Sequence, residues 1–250
     1  MLSPKNNMTT SNENTKDKVW VVVPAAGSGR RMGSEIPKQY LSLMGKTVLE
    51  LTLTRLLQVN SVTGITLVIS PDDLLFSTLA LAKNPIVNTT SGGRERSDSV
   101  LAGLNSLQMK AALSDWVLVH DAARCCIRVD VINRMLNELK DSGVGGILGV
   151  PVSDTLKRVN HVSQIESTLD RSQVWQAQTP QLFRYGLLKK ALEYALDRQC
   201  PITDEASAIE LLGYDVNMCM GHYDNIKITH PDDLALAEMF LVRQEKQQLS

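Results

Sequence analysis

Cysteine is scarce in this chain. Four stand among 250 residues, Cys125, Cys126, Cys200 and Cys219, and no two are spaced as C-x-x-C. The adjacent pair lacks metal-site spacing, and sequence neighbours rarely close a disulfide on each other. That argues against a disulfide scaffold or a cysteine zinc site and reads as reduced thiols of a cytoplasmic protein. Long apolar runs are missing as well, so no span of a bilayer and no membrane partner is expected. Residues 1–18, MLSPKNNMTTSNENTKDK, have neither the apolar centre of a signal peptide nor the arginines of a transit peptide. They read as a disordered polar tail. There is no excess of basic charge, the net being −1, which argues against a nucleic-acid partner but not against a local basic pocket. No Ser-His-Asp or Cys-His arrangement stands out, and His120, His161, His222 and His230 show no ligand spacing. They read as structural or exposed.

What is present begins with PAAGSGRRMG, Pro24 to Gly33, after the strand-like Val19-Trp20-Val21-Val22-Val23. Two familiar phosphate loops fail on spacing. The dinucleotide fingerprint needs a third Gly or Ala where Met32 stands. The P-loop would place its Gly-Lys-Ser/Thr on Met32, Gly33 and Ser34. Yet small residues at Ala25, Ala26, Gly27 and Gly29 let a ligand approach the backbone and leave N–H groups for anionic oxygens. Arg30 and Arg31 add fixed charge, and Lys38 follows closely enough to return to the same pocket. Such a loop suits a triphosphate. As a bare pattern, a solvated basic loop stays open.

Short apolar runs alternate with helical patterns. Strands are expected at 20–23, 64–70, 116–120, 145–152 and 216–220. Helices are expected at 47–59, 97–107, 131–141 and 185–197, from Thr203 as N-cap, and from 231 to about 244, with a further helix start at Pro71-Asp72-Asp73. This rhythm predicts an α/β, Rossmann-like, mostly parallel sheet with helices on both faces, in one domain over 19–250. Ligands then sit at the carboxyl ends of the strands, where the loops at 24–33 and 120–124 fall. The rhythm breaks at about 152–175, a polar stretch that reads as a projecting β-arm too small to bury its own apolar side chains. Packing on a second subunit is one reading, a long mobile loop the other.

The loop, with Pro37-Lys38-Gln39-Tyr40, resembles the nucleotide loop of nucleotidyltransferases. Further stretches resemble one family among them, the 2-C-methyl-D-erythritol 4-phosphate cytidylyltransferases. They are Gly92-Gly93 with Arg96 and Asp98-Ser99-Val100, Val119-His120-Asp121-Ala122-Ala123-Arg124, Asp154-Thr155-Leu156-Lys157, Gln178-Thr179-Pro180-Gln181, Thr203 to Ser207 and Asp224 to Thr229. They run in order from about 19 to 242. The resemblance implies an enzyme that joins CTP to a polyol phosphate, with Mg²⁺ as cofactor and pyrophosphate as leaving group. Arg31 and Lys38 match the family's transition-state stabilisers. Thr155 and Arg171 in the arm, with Lys227, match its substrate-phosphate contacts, and Arg124 joins them. Ala25, Ala26, Gly27, Gly29, Gly92, Gly93 and Ser99 match nucleotide contacts, although Ser99 could equally be an ordinary hydroxyl in a helix's first turn. Asp121 matches a hydroxyl contact and is the one candidate for a magnesium contact, a helix-cap role being its alternative. The resemblance also implies a homodimer whose arms reach into each other's active sites.

Two positions depart from the family's pattern. Arg94 stands where an acidic residue is expected beside the cytosine site, and Cys125 where proline usually follows Ala-Ala-Arg. Three rivals remain at this point. One is a relative acting on another polyol phosphate such as ribitol 5-phosphate. Another is a non-catalytic nucleotide-binding relative. The third is a dinucleotide oxidoreductase, disfavoured because Glu50 falls inside a helix pattern rather than at a strand end.

Overall fold

The computed structural model of the protein describes residues 17–27 and 36–248. The first strand, β1 (Val19–Pro24), turns Val21 and Val23 to one interior and Trp20 and Val22 to another. A strand apolar on both sides belongs in the middle of a sheet covered on both faces. A two-stranded ribbon, β2 (Ser42–Leu43) and β3 (Lys46–Thr47), leads into α1 (Val48–Leu57). Thr47 and Glu50 start that helix as a capping box: Glu50 N donates to Thr47 Oγ1 at 3.1 Å and Thr47 N to Glu50 Oε2 at 2.9 Å. Then come β4 (Val62–Ile69), β5 (Val87–Ser91), α2 (Arg96–Ser106), β6 (Trp116–Val119), α3 (Val129–Glu138) and β7 (Gly145–Pro151). A hairpin of β8 (Lys157–Val159) and β9 (Ile165–Thr168) precedes β10 (Trp175–Arg184). The chain ends with α4 (Tyr185–Asp197), α5 (Glu205–Leu211), β11 (Asn217–Met220) and α6 (Asp232–Gln248).

Seven strands form one sheet in the order β11-β7-β10-β6-β1-β4-β5. β10 runs antiparallel to both of its neighbours, and the remaining pairs are parallel. Helices α1 and α3 cover one face; α2, α4 and α5 cover the other. Helix α6 packs in a third cluster, with Leu43, Cys125, Cys126 and Ile228. The mostly parallel α/β sheet with two-sided helical cover is thus as the alternation predicts. Asp17 and Lys18, the last residues of the stretch read as a tail, are held: Asp17 pairs with Arg184 at 2.5 Å and Lys18 N donates to Asp115 at 3.1 Å. The rest of that stretch lies outside the described residues.

The structure differs from the expected elements in four places. Pro71-Asp72-Asp73 starts no α-helix. Asp73 instead accepts from Tyr40 Oη at 2.6 Å and from the N–H groups of Leu75 and Phe76, each at 3.0 Å, and only short 3-10 turns follow. Asp204, not Thr203, caps α5, accepting from Ser207 N at 2.9 Å. The short, polar β5 was not expected. Nor was β10, a central strand with a proline inside it, a residue ordinarily confined to edges and bulges. The bulge is there: pairing with β7 passes from Gln178↔Leu148 to Gln181↔Ile147, skipping Thr179 and Pro180.

Within the stretch 152–175, read as an arm, β8 and β9 form a separate two-stranded sheet with every strand residue exposed.

Helix α2 approaches the sheet closely because Gly103 lacks a side chain. A Cβ there would come within 2.5 Å of Val22 Cγ1 and 3.0 Å of Val68 Cγ2, both on fully buried residues. Gly103→Ala gains about 1 kcal/mol of helix propensity and incurs overpacking of about 3 kcal/mol against stiff β-branched side chains. A net loss of about 2 kcal/mol is expected in urea unfolding; an unchanged or raised midpoint would show that α2 can shift freely.

Candidate active site

Loops leaving the carboxyl ends of β1, β5 and β6, together with residues 227–229, enclose a cavity of about 640 Å³. That lies in the range of small-molecule sites, at the place an open α/β sheet offers. Its floor is built of small residues, Ala25, Ala26, Gly27 and Gly93, and its wall carries Lys38, Arg94, Arg96 and Lys227.

The floor is held without large side chains. Gln39, buried, donates Nε2 to the carbonyls of Ala25 at 2.7 Å and Gly27 at 3.3 Å. Gly92 sits against the first loop so tightly that a Cβ would lie 2.6 Å from Ala26 Cβ and 2.7 Å from Ser99 Oγ. Ser99, on the first turns of α2, accepts from Gly93 N and donates to Glu95 O, each at 3.2 Å. Its hydroxyl pins the Gly92-Gly93 turn from inside the cavity wall.

The charges converge on Asp121. Its carboxylate meets Arg96 Nε at 3.1 Å, Lys227 Nζ at 2.8 Å and Arg124 Nε at 3.6 Å. Burial pushes its pKa up, but Arg96, Lys227 and Arg124 outweigh that and hold it well below the usual carboxylate range. Arg96 forks onto Glu205 at 2.6 and 3.0 Å, tying α2 to α5. Glu205 is 1% exposed and has found its counter-ion in Arg96. Lys38 comes to the same place from far away in the sequence, donating Nζ to Ile228 O at 2.8 Å. Arg124 donates Nη1 to Asn225 O at 2.7 Å, and Cys125, in the place where the family pattern has proline, is fully buried.

The structure therefore brings together Ala25, Ala26, Gly27, Lys38, Gly93, Ser99, Asp121 and Lys227 in the cavity lining, with Gly92 and Arg124 directly behind. Thr155 and Arg171 are not in this lining; both lie on the exposed arm, where Arg171 donates to Ser153 O. Arg31 and Gly29 lie outside the described residues. Gln39, Arg94, Arg96 and Thr229 line the cavity without having been assigned roles there. Gln39 and Arg96 stand in stretches that resemble the family, and their side-chain partners are what reveal their work.

Among the described residues there is no group of three His, Cys, Asp or Glu able to hold a metal ion. Asp121 is the carboxylate at the end of β6; Oδ2 faces Lys227 and Arg124, and Oδ1 faces Arg96. One carboxylate already paired with three cations offers no protein cage for magnesium, so an ion here would take its ligands chiefly from substrate phosphates and water.

Small residues beneath and fixed cations around such a cleft suit a polyphosphate, and comparison with known proteins places the chain in the class of nucleotidyltransferases. A family model described as 2-C-methyl-D-erythritol 4-phosphate cytidylyltransferase matches residues 19–243. The protein of that name from Hahella chejuensis is 49% identical over 226 residues, 90% of this chain and 94% of that one. The one from Aliivibrio fischeri strain MJ11 is 48% identical over 229 residues, 92% of this chain and 96% of that one. The crystal structure of a 4-diphosphocytidyl-2C-methyl-D-erythritol synthase superposes with a TM-score of 0.78 at 39% identity, covering 90% of this chain and all of that one. The Francisella tularensis 2-C-methyl-D-erythritol 4-phosphate cytidylyltransferase gives a TM-score of 0.77 at 36% identity, over 89% of this chain and 99% of that one. The chain belongs to the 2-C-methyl-D-erythritol 4-phosphate cytidylyltransferase family.

His120 carries a pH prediction. It is fully buried, and desolvation lowers its pKa from 6.5 to about 4 although Asp121 pulls the other way. Its folded value lies below the unfolded one, so the unfolded chain binds the proton first. Stability is full above pH 6.5 and falls as pH drops towards about 4. The loss is on the order of 3 kcal/mol. His120→Gln should flatten this part of a pH series of urea midpoints; an unaltered slope would mean other groups account for it.

Proposed function

We propose that the chain transfers CMP from CTP to 2-C-methyl-D-erythritol 4-phosphate, giving CDP-methylerythritol and pyrophosphate in isoprenoid biosynthesis. The observation that carries this is the meeting of Lys38 with residues 227–228. Lys38, the cation matched to the reacting phosphate, bonds the carbonyl of Ile228, next in sequence to Lys227, the cation matched to the acceptor phosphate, and both line one strand-end cleft. The acceptor's phosphate oxygen attacks the α-phosphorus of CTP in line, forming one P–O bond as the bond to the pyrophosphate oxygen breaks. The attacking group is already an anion, so no general base is needed. Charge builds on the equatorial oxygens, and positioned cations supply most of the stabilisation.

In this reading Lys38 and Arg31 stabilise that charge. The small residues Ala25, Ala26, Gly27, Gly29, Gly92 and Gly93, with Ser99 behind them, take the nucleotide. Asp121, Arg124 and Lys227 position the acceptor, and Asp121 is the residue that would hold magnesium. When bound, the ion neutralises phosphate charge; Lys38 and Lys227 aim the two reactants at one another. The buried thiols Cys125, Cys126 and Cys219 suit the reducing cytoplasm, where we place the reaction.

Arg171 and Thr155 complete the acceptor site of a second copy. Support comes from the hairpin itself. It buries none of its strand residues, and Val159, Val162 and Ile165 are 52%, 58% and 65% exposed. An isolated hairpin of this kind is marginal in water and gains by packing on a partner. The protein then works as a homodimer with exchanged arms.

The first test is pyrophosphate release with Mg²⁺, crossing CTP, UTP, ATP and GTP with methylerythritol 4-phosphate and ribitol 5-phosphate. Release with CTP and methylerythritol phosphate alone is expected; release with ribitol phosphate instead would move the acceptor assignment. Lys38→Ala should lower kcat by about 100-fold or more with little loss of stability, and an unchanged kcat would remove its role.

The arm has its own test. Arg171→Ala should mainly raise KM for the acceptor. Mixing Arg171→Ala chains with Lys38→Ala chains should restore activity, because exchanged arms leave one intact site in each heterodimer. No recovery in verified heterodimers would mean that each arm serves its own chain.

A further inference from the structure

We infer that Thr179 and His120 form a hydrogen-bonded relay that sets the geometry of the acceptor loop, making both of them positioning residues for the transfer. Neither lines the cleft. Thr179 belongs to the bulge of β10, on the one antiparallel strand of the main sheet, and bulges beside active sites commonly re-aim a side chain. Its hydroxyl is aimed at the loop after β6. Thr179 Oγ1 accepts the backbone N–H of Asp121 at 3.1 Å and lies 3.2 Å from His120 Nδ1. His120 Nε2 in turn lies 3.1 Å from Arg124 O.

For a neutral ring, donor and acceptor counting gives these bonds one consistent direction. The carbonyl of Arg124 can only accept, so Nε2 carries the proton. In a neutral imidazole the other nitrogen, Nδ1, is then the acceptor, and it faces Thr179 Oγ1. The threonine hydroxyl must then donate its one proton to Nδ1, and it remains free to accept from Asp121 N–H. The chain of bonds therefore runs Asp121 N–H to Thr179 Oγ–H to His120 Nδ1, and His120 Nε2–H to Arg124 C=O. It grips both ends of the four-residue turn Asp121-Ala122-Ala123-Arg124, itself closed by Arg124 N donating to Asp121 O at 3.1 Å.

The same threonine reaches the third segment of the site. Its carbonyl accepts Asn225 Nδ2 at 2.8 Å, and Asn225 O accepts Arg124 Nη1 at 2.7 Å. Lys227, two residues on, bonds Asp121 at 2.8 Å. Thr179 thus joins the β6 loop to the 224–229 segment, while the nucleotide floor of Ala25 to Gly27 and Gly93 is braced separately by Gln39 and Ser99. A break in the relay should disturb Asp121, Arg124 and Lys227 together and leave the nucleotide floor intact.

The kinetic consequence holds only if the chain transfers CMP as proposed above. The tautomer can be tested without any activity, so the two can fail separately. In the full-length protein, ¹⁵N spectra of the His120 ring at neutral pH should show the neutral Nε2–H form with an unprotonated Nδ1. An Nδ1–H form, or a charged ring, would overturn the relay.

In kinetics, Thr179→Val removes the hydroxyl and keeps the shape, whereas Thr179→Ser keeps the hydroxyl. Thr179→Val should lower kcat/KM for the acceptor about 10-fold or more, with the CTP dissociation constant within about 2-fold of the parent. Thr179→Ser should restore most of the loss. Equal losses in both variants, a parallel fall in CTP affinity, or no loss in Thr179→Val would each sink the positioning role. If Thr179→Val does not fold, His120→Gln stands in for it. The glutamine amide can still donate to the Arg124 carbonyl but makes no contact with Thr179, so the same acceptor-specific loss is expected, and none would count against the relay.

Discussion

The Asp121 carboxylate, buried at the end of β6 and shared among Arg96, Lys227 and Arg124, is the interaction on which the rest of the cleft depends. A buried carboxylate stays ionised only where cations surround it, and buried cations stay put only where an anion holds them. Here both requirements are met at once. Arg96 meets Asp121 through one nitrogen and gives its fork to Glu205, so three separate elements, α2, α5 and the β6 loop, are fixed by two carboxylates. Removing one partner of such a set leaves an uncompensated buried charge, which is why its members act as a unit.

This arrangement also leaves positive charge where a polyphosphate would lie. Lys38 lines the cleft and donates to the Ile228 carbonyl at 2.8 Å. Arg94 lines the cavity at the edge of the Gly93 turn, in the position where the family pattern led us to expect an acidic residue. The floor beneath is built from alanine and glycine and is braced by hydrogen bonds from Gln39 and Ser99, so the backbone itself is open to a ligand. Rigid dipoles and cations set in advance are the components that phosphoryl-transfer catalysis relies on.

The sheet has a division of labour. Parallel strands β1, β5 and β6 end in the loops that form the cleft, while antiparallel β10 enters from the opposite direction. Its bulge at Thr179 and Pro180 interrupts pairing with β7 just where the strand passes behind Asp121. The middle of an antiparallel strand therefore also reaches the site, through a threonine hydroxyl that meets Asp121 N–H and the buried His120. The strand is fed by the hairpin arm, so the segment that reaches outward and the one that braces the cleft are continuous in sequence.

Much of this was legible in the sequence because it depends on neighbours along the chain. The alternation of valines in β1, the helical spacing through α1 and α4, and a run of small residues followed by basic ones all express local periodicity and local sterics. Helix α4 is observed over Tyr185 to Asp197, the span its apolar spacing predicts. The β10 strand was hidden because its proline and polar residues argue against a central strand, and only the bulge makes room for them. The aspartates at 72–73 look like a helix start, but Tyr40 and nearby N–H groups claim Asp73. Asp204 rather than Thr203 caps α5, a choice between adjacent residues that side-chain geometry makes. The sequence by itself thus determined the class of sheet, the loop chemistry and the supply of cations. Only the tertiary structure decided which partner each cation meets: Arg96 with Glu205, 109 residues away, and Lys38 with the Ile228 carbonyl, 190 residues away. Ion pairs and hydrogen bonds act through space, and no local pattern encodes a partner that the folding of the whole sheet brings into reach.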